Sequence, residues 1–171
     1  LKTKKKFIVA IDQGTTSSRA ILFNTKGKSL FKSQLEFKQY FPKNGWVEHN
    51  PEEIWNKTRK VLVDVIKKSK KFNGDILTIG ITNQRETTIL WDKVSGKPVY
   101  NAIVWQDRRT EDFCKKFRTN NRERLINKKT GLLIDPYFSG TKIKWIIKNI
   151  PKAKKLLKRK QLLFGTIDTF L

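Results

Sequence analysis

The feature that most constrains this chain is a polar bend between two short apolar runs. Residues 7–24 read FIVAIDQGTTSSRAILFN. The runs 7–11 and 20–23 are rich in β-branched and aromatic residues, so they predict two neighbouring strands with a tight connection. An ordinary turn also uses Gly, Ser, Thr and Asp. The alternative is a phosphate-binding bend. In it, Gly14 lets the backbone approach an oxyanion, successive amides and hydroxyls donate hydrogen bonds to that oxyanion, and Asp12 faces a metal ion.

The composition indicates one packed domain, and the cysteine content bears on the cellular compartment. Hydrophobic residues make up 37% of the 171 residues, which favours a core over disorder. No apolar run approaches the roughly 20 residues that a membrane span needs, so no membrane span is expected. The single Cys114 excludes a disulfide framework and predicts a cytoplasmic protein. We interpret it as a packing thiol, and one His beside one Cys makes a zinc site unexpected.

The net charge of +23 requires an explanation, because such a balance normally indicates nucleic acid or an anionic surface. Only nine of the 38 basic residues are Arg, and the lysines are spread over every segment. Nucleic-acid readers cluster Arg and aromatic residues on one face, and no such cluster is visible here. We therefore expect a solvated lysine surface and no nucleic-acid partner. A basic nucleic-acid-binding module stays open as an alternative.

The first half of the chain predicts a meander followed by a helix and a strand. Strand patterns cover 7–11, 18–24 and 29–37. A helix is expected after Asn50 as N-cap, with Pro51 at its first position, Glu53 completing a capping box, and Asn73 near its end. The apolar run 76–82 predicts a buried strand. The order βββαβ is typical of an α/β fold.

The second half predicts shorter elements. Strands are expected at about 87–91 and 98–103, around a Ser-Gly turn, and residues 108–130 are expected to be helical in two pieces. A last clear helix is expected before Pro151. It places four isoleucines on an apolar face and three lysines on the opposite, polar face: Ile143, Ile146, Ile147 and Ile150 against Lys142, Lys144 and Lys148.

Longer motifs decide the meaning of the bend. The stretches are FPKNGWVEHNPEEIW, IGITNQRETTILWD, NAIVWQDRRT, GLLIDPYFSGTKIKWI and LLFGTIDTFL. Together with DQGTT they resemble the FGGY family of carbohydrate kinases, in particular its members that phosphorylate glycerol, and the resemblance runs from Phe7 to the last residue. It implies the ribonuclease H-like fold of the actin, hexokinase and Hsp70 superfamily, with a mixed sheet flanked by helices. It also implies Mg²⁺-dependent phosphoryl transfer from ATP to glycerol, giving sn-glycerol 3-phosphate in glycerol metabolism.

The resemblance assigns a nucleotide side and a polyol side. The residues implied to contact the ATP or ADP phosphates are Thr15, Thr16, Ser17 and Arg19. Asp12 is implied to hold Mg²⁺ through water. The residues implied to contact the polyol are Arg85, Glu86, Trp105 and Tyr137. In these roles an Arg donates to a hydroxyl oxygen, a Glu accepts a hydroxyl proton, an indole covers the carbon chain, and a phenol comes from a loop stiffened by proline.

Other charged residues near these motifs are interpreted as structural. Asp107, Arg108 and Arg109 are expected to take part in structural pairing near the cleft, and Thr166 and Asp168 are expected to be architectural. The runner-up function is another FGGY kinase, acting on a different small polyol or sugar.

The general base of the family, an aspartate followed by a glutamine, matches no position here. Residues 1–171 are therefore expected to form an incomplete N-terminal kinase domain that lacks the second domain and is inactive by itself. The base is expected downstream, and the full-length protein is expected to be a homo-oligomer.

Overall fold

The first three strands form the meander that the sequence predicts. The structure is a computed structural model that describes residues 4–171. Strands β1 (Lys5–Gln13), β2 (Ser17–Asn24) and β3 (Ser29–Glu36) pair antiparallel. Because side chains alternate across a strand, β1 buries every second residue on one face, namely Phe7, Val9 and Ile11.

The long helix covers that face. After the short strand β4 (Glu48–His49), helix α1 (Pro51–Lys71) begins at Asn50, whose side chain accepts hydrogen bonds from the next two free amides. The reciprocal half of the expected capping box is absent, because Glu53 accepts from the amide of Lys38 instead. The helix packs Val61 and Val65 against the buried face of the meander, and this contact forms the first core.

Strand β5 (Gly74–Asn83) differs from the expectation of a buried strand. It runs parallel to β1 and completes a four-stranded sheet in the order β3-β2-β1-β5, so it lies at the sheet edge. Within residues 4–171 no strand pairs with its other side. Three of its apolar side chains are exposed: Leu77 at 55%, Ile79 at 43% and Ile81 at 48%. The prediction of a buried strand was wrong because an apolar run does not indicate how many strands pair with it.

The remaining elements follow along the chain, and residues of several of them form two further core clusters. These elements are β6 (Ile89–Asp92), β7 (Ala102–Ile103), α2 (Glu111–Phe117), α3 (Asn120–Thr130), α4 (Ser139–Asn149), α5 (Pro151–Lys158), β8 (Leu162–Gly165) and α6 (Ile167–Phe170). Strands β4 and β7 form one ribbon and β6 and β8 another. The two-piece helical region is confirmed. Among the helices of residues 4–171, none combines the length and apolarity that crossing a membrane requires.

Helix α4 corrects a second expectation. Its polar face was predicted to include Lys142, but the Lys142 side chain is completely buried. Lys144 and Lys148 are exposed as expected. Residues four apart lie on the same helix face, so Lys142 shares its stripe with the buried Ile146.

A buried ion network joins β4 to the loop between β7 and α2. The guanidinium of Arg109 lies 2.8 Å from both Glu48 and Asp107, with its side chain fully buried. It also packs against two indole rings, with centroid distances of 3.9 Å to Trp46 and 4.6 Å to Trp145. Its neighbour Arg108 instead makes half-exposed pairs. Asp107 and Arg109 therefore pair structurally, as expected.

We predict that Arg109→Met lowers the free energy of unfolding by about 3–5 kcal/mol, because it leaves two buried carboxylates without their cation. Arg108→Met is the matched control, and its half-exposed pairs predict a loss within about 1 kcal/mol. Urea unfolding of the two variants checks this. Equal losses would contradict the importance assigned to the buried network.

Candidate active site

The bend between β1 and β2 is a tight, fixed turn. The amide of Gly14 donates to the carbonyl of Ser17 at 2.9 Å, and the carbonyl of Thr16 accepts from the amide of Phe37 at 3.2 Å. The Thr16 side chain is exposed, and within residues 4–171 its hydroxyl makes no hydrogen bond. The backbone of the turn is thus constrained while a hydroxyl donor faces solvent.

Thr15 connects the turn to a distant loop. Its Oγ1 accepts a hydrogen bond from the indole Nε1 of Trp105 at 3.0 Å, across 90 positions of sequence. Its carbonyl accepts from Gln39 at 3.1 Å. Because the indole can only donate, the hydroxyl hydrogen of Thr15 remains available for another acceptor. Thr15 can therefore donate to an anion while Trp105 keeps it in place.

Asp12 and Arg19 lie opposite each other in the β1–β2 register and form a loose ion pair of 3.5 Å. The two side chains are 42% and 35% exposed, and such pairs contribute little to stability, so both groups can exchange partners. Arg19 also donates to Gln34 at 3.0 Å, and Gln34 donates to the buried Ser17 at 3.0 Å. Ser17 is thus the least accessible of the expected phosphate contacts.

Asp12 is compatible with the magnesium role but does not form a metal site by itself. In the part of the chain that the structure describes, no group of three or more His, Cys, Asp or Glu side chains is placed to bind a metal ion. Magnesium commonly uses one or two carboxylates together with phosphate oxygens and waters. A half-exposed carboxylate beside a turn that is expected to bind phosphate fits that arrangement.

A buried amide network lies behind the turn, and the sequence analysis did not identify it. The side-chain Nε2 of Gln84 lies 3.2 Å from Gln13 Oε1, 3.1 Å from the carbonyl of Gly14 and 3.3 Å from His49 Nδ1. The amide of Gln84 also donates to the carbonyl of Gln13 at 2.8 Å. The side chains of this network are buried. It ties the start of the turn to the end of β5.

Burial keeps His49 neutral. It lowers the pKa of the imidazole to about 4, because the charged form would lose its water. Nδ1 faces the donor Nε2 of Gln84, so Nδ1 acts as acceptor, and Nε2 donates to the oxygen of Gln39. If Nδ1 were protonated, its N–H would face the side-chain N–H of Gln84, and two donors cannot form a hydrogen bond.

The expected polyol residues Arg85 and Glu86 follow β5 directly. Arg85 is exposed, and its side chain has no hydrogen bond or ion pair within residues 4–171. Glu86 has a φ of 62°, a left-handed conformation that is uncommon for a residue other than glycine. Its Oε2 accepts from the amide of Ser139 at 3.1 Å and from the hydroxyl of Ser139 at 2.9 Å. The carboxylate is therefore oriented, whereas the guanidinium is available.

The two aromatic residues of the expected polyol site meet each other. The rings of Trp105 and Tyr137 are edge to face, with centroids 6.1 Å apart. The amide of Trp105 donates to the hydroxyl of Thr87 at 3.2 Å, and the amide of Tyr137 donates to Asp135 at 2.8 Å. Trp105 thus contacts the β1–β2 turn through Thr15 and the other expected polyol residue Tyr137 through its ring.

Two further residues have the structural positions expected of them. Asp168 accepts hydrogen bonds from Asn83 and from Thr166, so it ties α6 to the end of β5. Cys114 is buried, and burial raises the pKa of its thiol, which favours an unreactive packing role.

Comparison with known proteins gives the family. Residues 7–171 match the N-terminal domain of the FGGY family of carbohydrate kinases. The chain belongs to the FGGY family. Curated FGGY relatives include a glycerol kinase of Geobacillus, 54% identical over 167 residues, and one of Leptospira biflexa, 55% identical over 168 residues. Each alignment covers 98% of this chain and 34% of the relative, so the chain spans about a third of these relatives.

Solved structures confirm the fold expected for an FGGY kinase. The glycerol kinase of Plasmodium falciparum with ADP superposes with a TM-score of 0.92 at 37% identity, covering 98% of this chain and 33% of that one. A gluconate kinase of Lactobacillus acidophilus superposes with a TM-score of 0.82 at 23% identity, covering 98% and 32%, and this similarity concerns the fold alone. The α/β architecture with a mixed sheet and flanking helices is that of FGGY sugar kinases.

We predict that the buried His49 makes the free energy of unfolding decrease as the pH is lowered. The unfolded imidazole gains its proton near pH 6.5 and the buried one only near pH 4, so stability is complete above pH 6.5 and is lost as the pH falls to 4. The loss attributable to His49 is about 3 kcal/mol. The measurement is urea unfolding from pH 7 to pH 4 of wild type and His49→Gln. Carboxylates titrate alike in both, so parallel curves would contradict the assignment.

Proposed function

We propose that this chain is the N-terminal part of an ATP-dependent glycerol kinase. The observation that carries the proposal is the position of Trp105, whose indole donates to Thr15 in the phosphate turn while its ring packs on Tyr137. A phosphoryl donor at the turn and a small polyol at the aromatic pair would lie side by side. Support comes from curated glycerol kinases 52–55% identical to the chain and from the glycerol kinase structure with ADP.

On the nucleotide side, the chain offers donors that match developing negative charge. Thr15 and Thr16 present hydroxyls, Gly14 lets a phosphate approach the backbone, and Arg19 supplies a cation. Donors fixed before the reaction stabilise phosphoryl transfer without reorganisation. Asp12 would hold magnesium through water, and that ion would neutralise charge on the phosphates. Ser17 is placed to support Arg19 through Gln34 rather than to face the ligand with its side chain.

On the polyol side, the residues present complementary chemistry for a short chain of hydroxyls. Arg85 donates a hydrogen bond to a hydroxyl oxygen, and Glu86 accepts a hydrogen bond from a hydroxyl, with its carboxylate oriented by Ser139. Trp105 covers the carbon chain. Tyr137 adds a phenol from a loop that is fixed by the hydrogen bond from the Tyr137 backbone amide to the Asp135 side chain.

The proposal divides the active site between this chain and the rest of a longer protein. Residues 1–171 form part of the N-terminal kinase domain, and the general base and the adenine pocket are assigned to the region that relatives about three times as long contain. The whole protein is proposed to be cytoplasmic and homo-oligomeric.

The direct test is an ADP-release assay on the full-length protein with Mg-ATP and a panel of glycerol, xylulose and gluconate. We expect turnover with glycerol above the other two, and sn-glycerol 3-phosphate as the product. Residues 1–171 alone serve as control and should give no turnover, because positioning and water exclusion need the facing domain. Preference for a sugar would favour another FGGY kinase. No turnover, with DNA binding that persists at high salt, would favour the nucleic-acid module.

We predict that Arg85→Ala in the full-length enzyme raises the glycerol KM by about ten- to a hundredfold, since a hydrogen bond to a charged group contributes roughly 1.5–3 kcal/mol. The fold should be unaffected, because Arg85 is exposed and its guanidinium makes no hydrogen bond or ion pair within residues 4–171. Arg124→Ala, an exposed arginine on α3, is the matched control. An unchanged glycerol KM would show that Arg85 does not contact the polyol.

We predict that Thr16→Val impairs the nucleotide side instead. Valine keeps the β-branched shape and removes a hydroxyl that the fold does not use, so stability should be retained while the ATP KM rises or kcat falls by about tenfold. Steady-state kinetics with each substrate varied in turn measures both effects, and Thr78→Val, exposed on β5, is the control. A changed glycerol KM with normal nucleotide kinetics would contradict the assignment of the turn.

A further inference from the structure

Lys142 is a buried cation without a role in the proposed chemistry. Its side chain is completely buried, and its Nζ donates to the carbonyl of Glu86 at 2.8 Å and to the carbonyl of Tyr137 at 2.6 Å. Placing an ammonium group in the interior costs free energy unless it is well hydrogen-bonded. The acceptors here are two backbone carbonyls, and they belong to two residues of the proposed polyol site.

The segment that Lys142 contacts needs support. Glu86 adopts a φ of 62°, and a non-glycine residue in that region persists only where its surroundings impose it. The first turn of α4 makes two contacts that hold Glu86 in this conformation. Ser139 donates to the Glu86 carboxylate, and Lys142 donates to the Glu86 carbonyl. The lysine also binds the residue two positions before α4, namely Tyr137.

We propose that Lys142 is a positioning residue for the polyol site, in which its buried ammonium group fixes the backbone of Glu86 relative to the backbone of Tyr137. This inference rests on the proposed function, since it assumes that Glu86 and Tyr137 contact the substrate. Lys142 touches neither the turn at Gly14 nor Arg19. Its loss should therefore disturb polyol binding and leave nucleotide binding intact.

The surrounding charges support a protonated Lys142 at neutral pH. Its pKa is lowered from 10.5 to about 8, mainly by burial and to a smaller extent by Arg109. The carboxylates of Glu86, Asp107 and Asp135 raise it. The group therefore carries a proton at pH 7, and its two bonds to carbonyls are charge-assisted, which makes them stronger than neutral ones.

The test is the kinetics of Lys142→Met in the full-length protein, with glycerol and ATP varied separately. Methionine fills similar volume but cannot donate, so the glycerol KM should rise by about ten- to a hundredfold, as expected when a charged hydrogen-bonding partner of the polyol is misplaced. The ATP KM should stay within about twofold of wild type, since the contacts of Lys142 lie on the polyol side. Lys148→Met, on the exposed face of the same helix, is the matched control and should leave both values unchanged.

A rise of both KM values together, or of neither, would overturn the proposal. If Lys142→Met does not fold, Lys142→Gln is measured instead, because its amide keeps donors but loses the charge and some reach. An unchanged glycerol KM in folded Lys142→Gln would likewise overturn it. If wild type does not phosphorylate glycerol, the proposed function fails, and the same comparison is made with the polyol or sugar that the enzyme accepts.

Discussion

The candidate site depends on the hydrogen bonds that the buried side-chain amide of Gln84 makes. Its Nε2 lies within 3.3 Å of acceptors on Gln13, Gly14 and His49, and its Oε1 accepts from Thr87 at 2.9 Å. Each of these groups would cost about 1–3 kcal/mol if it were buried without a partner, so the network tolerates a single arrangement. That arrangement places the β1–β2 turn, the end of β5 and the Trp105 loop at fixed positions relative to one another.

The site contrasts groups that the fold uses with groups that it leaves available. Buried charges are occupied: Arg109 by two carboxylates and Lys142 by two carbonyls. The exposed hydroxyl of Thr16 and the exposed guanidinium of Arg85 have no partner within residues 4–171. Ligand-binding groups need such unused donors, and they need neighbours that cannot move.

Local sequence patterns predicted the meander, the helix α1 with its cap at Asn50, and the placement of the DQGTT bend between the first two strands. They could not predict that β5 lies at a sheet edge, because an apolar run does not count neighbouring strands. They placed Lys142 on the polar face by residue type, although its spacing of four from Ile146 indicated the buried stripe. The hydrogen bond from Trp105 to Thr15 spans 90 positions and depends on tertiary packing, so no local pattern contains it.

The most direct test of this account is a crystal structure of the full-length protein with ADP, magnesium and glycerol. The account predicts glycerol hydroxyls within hydrogen-bond distance of Arg85 and Glu86, its carbon chain against Trp105, and nucleotide phosphates at the turn that holds Thr15 and Thr16. The bond between Trp105 and Thr15 should be retained. Glycerol bound away from Arg85 and Glu86, or phosphates bound away from the turn, would contradict the central claim that this chain sets the two substrates side by side.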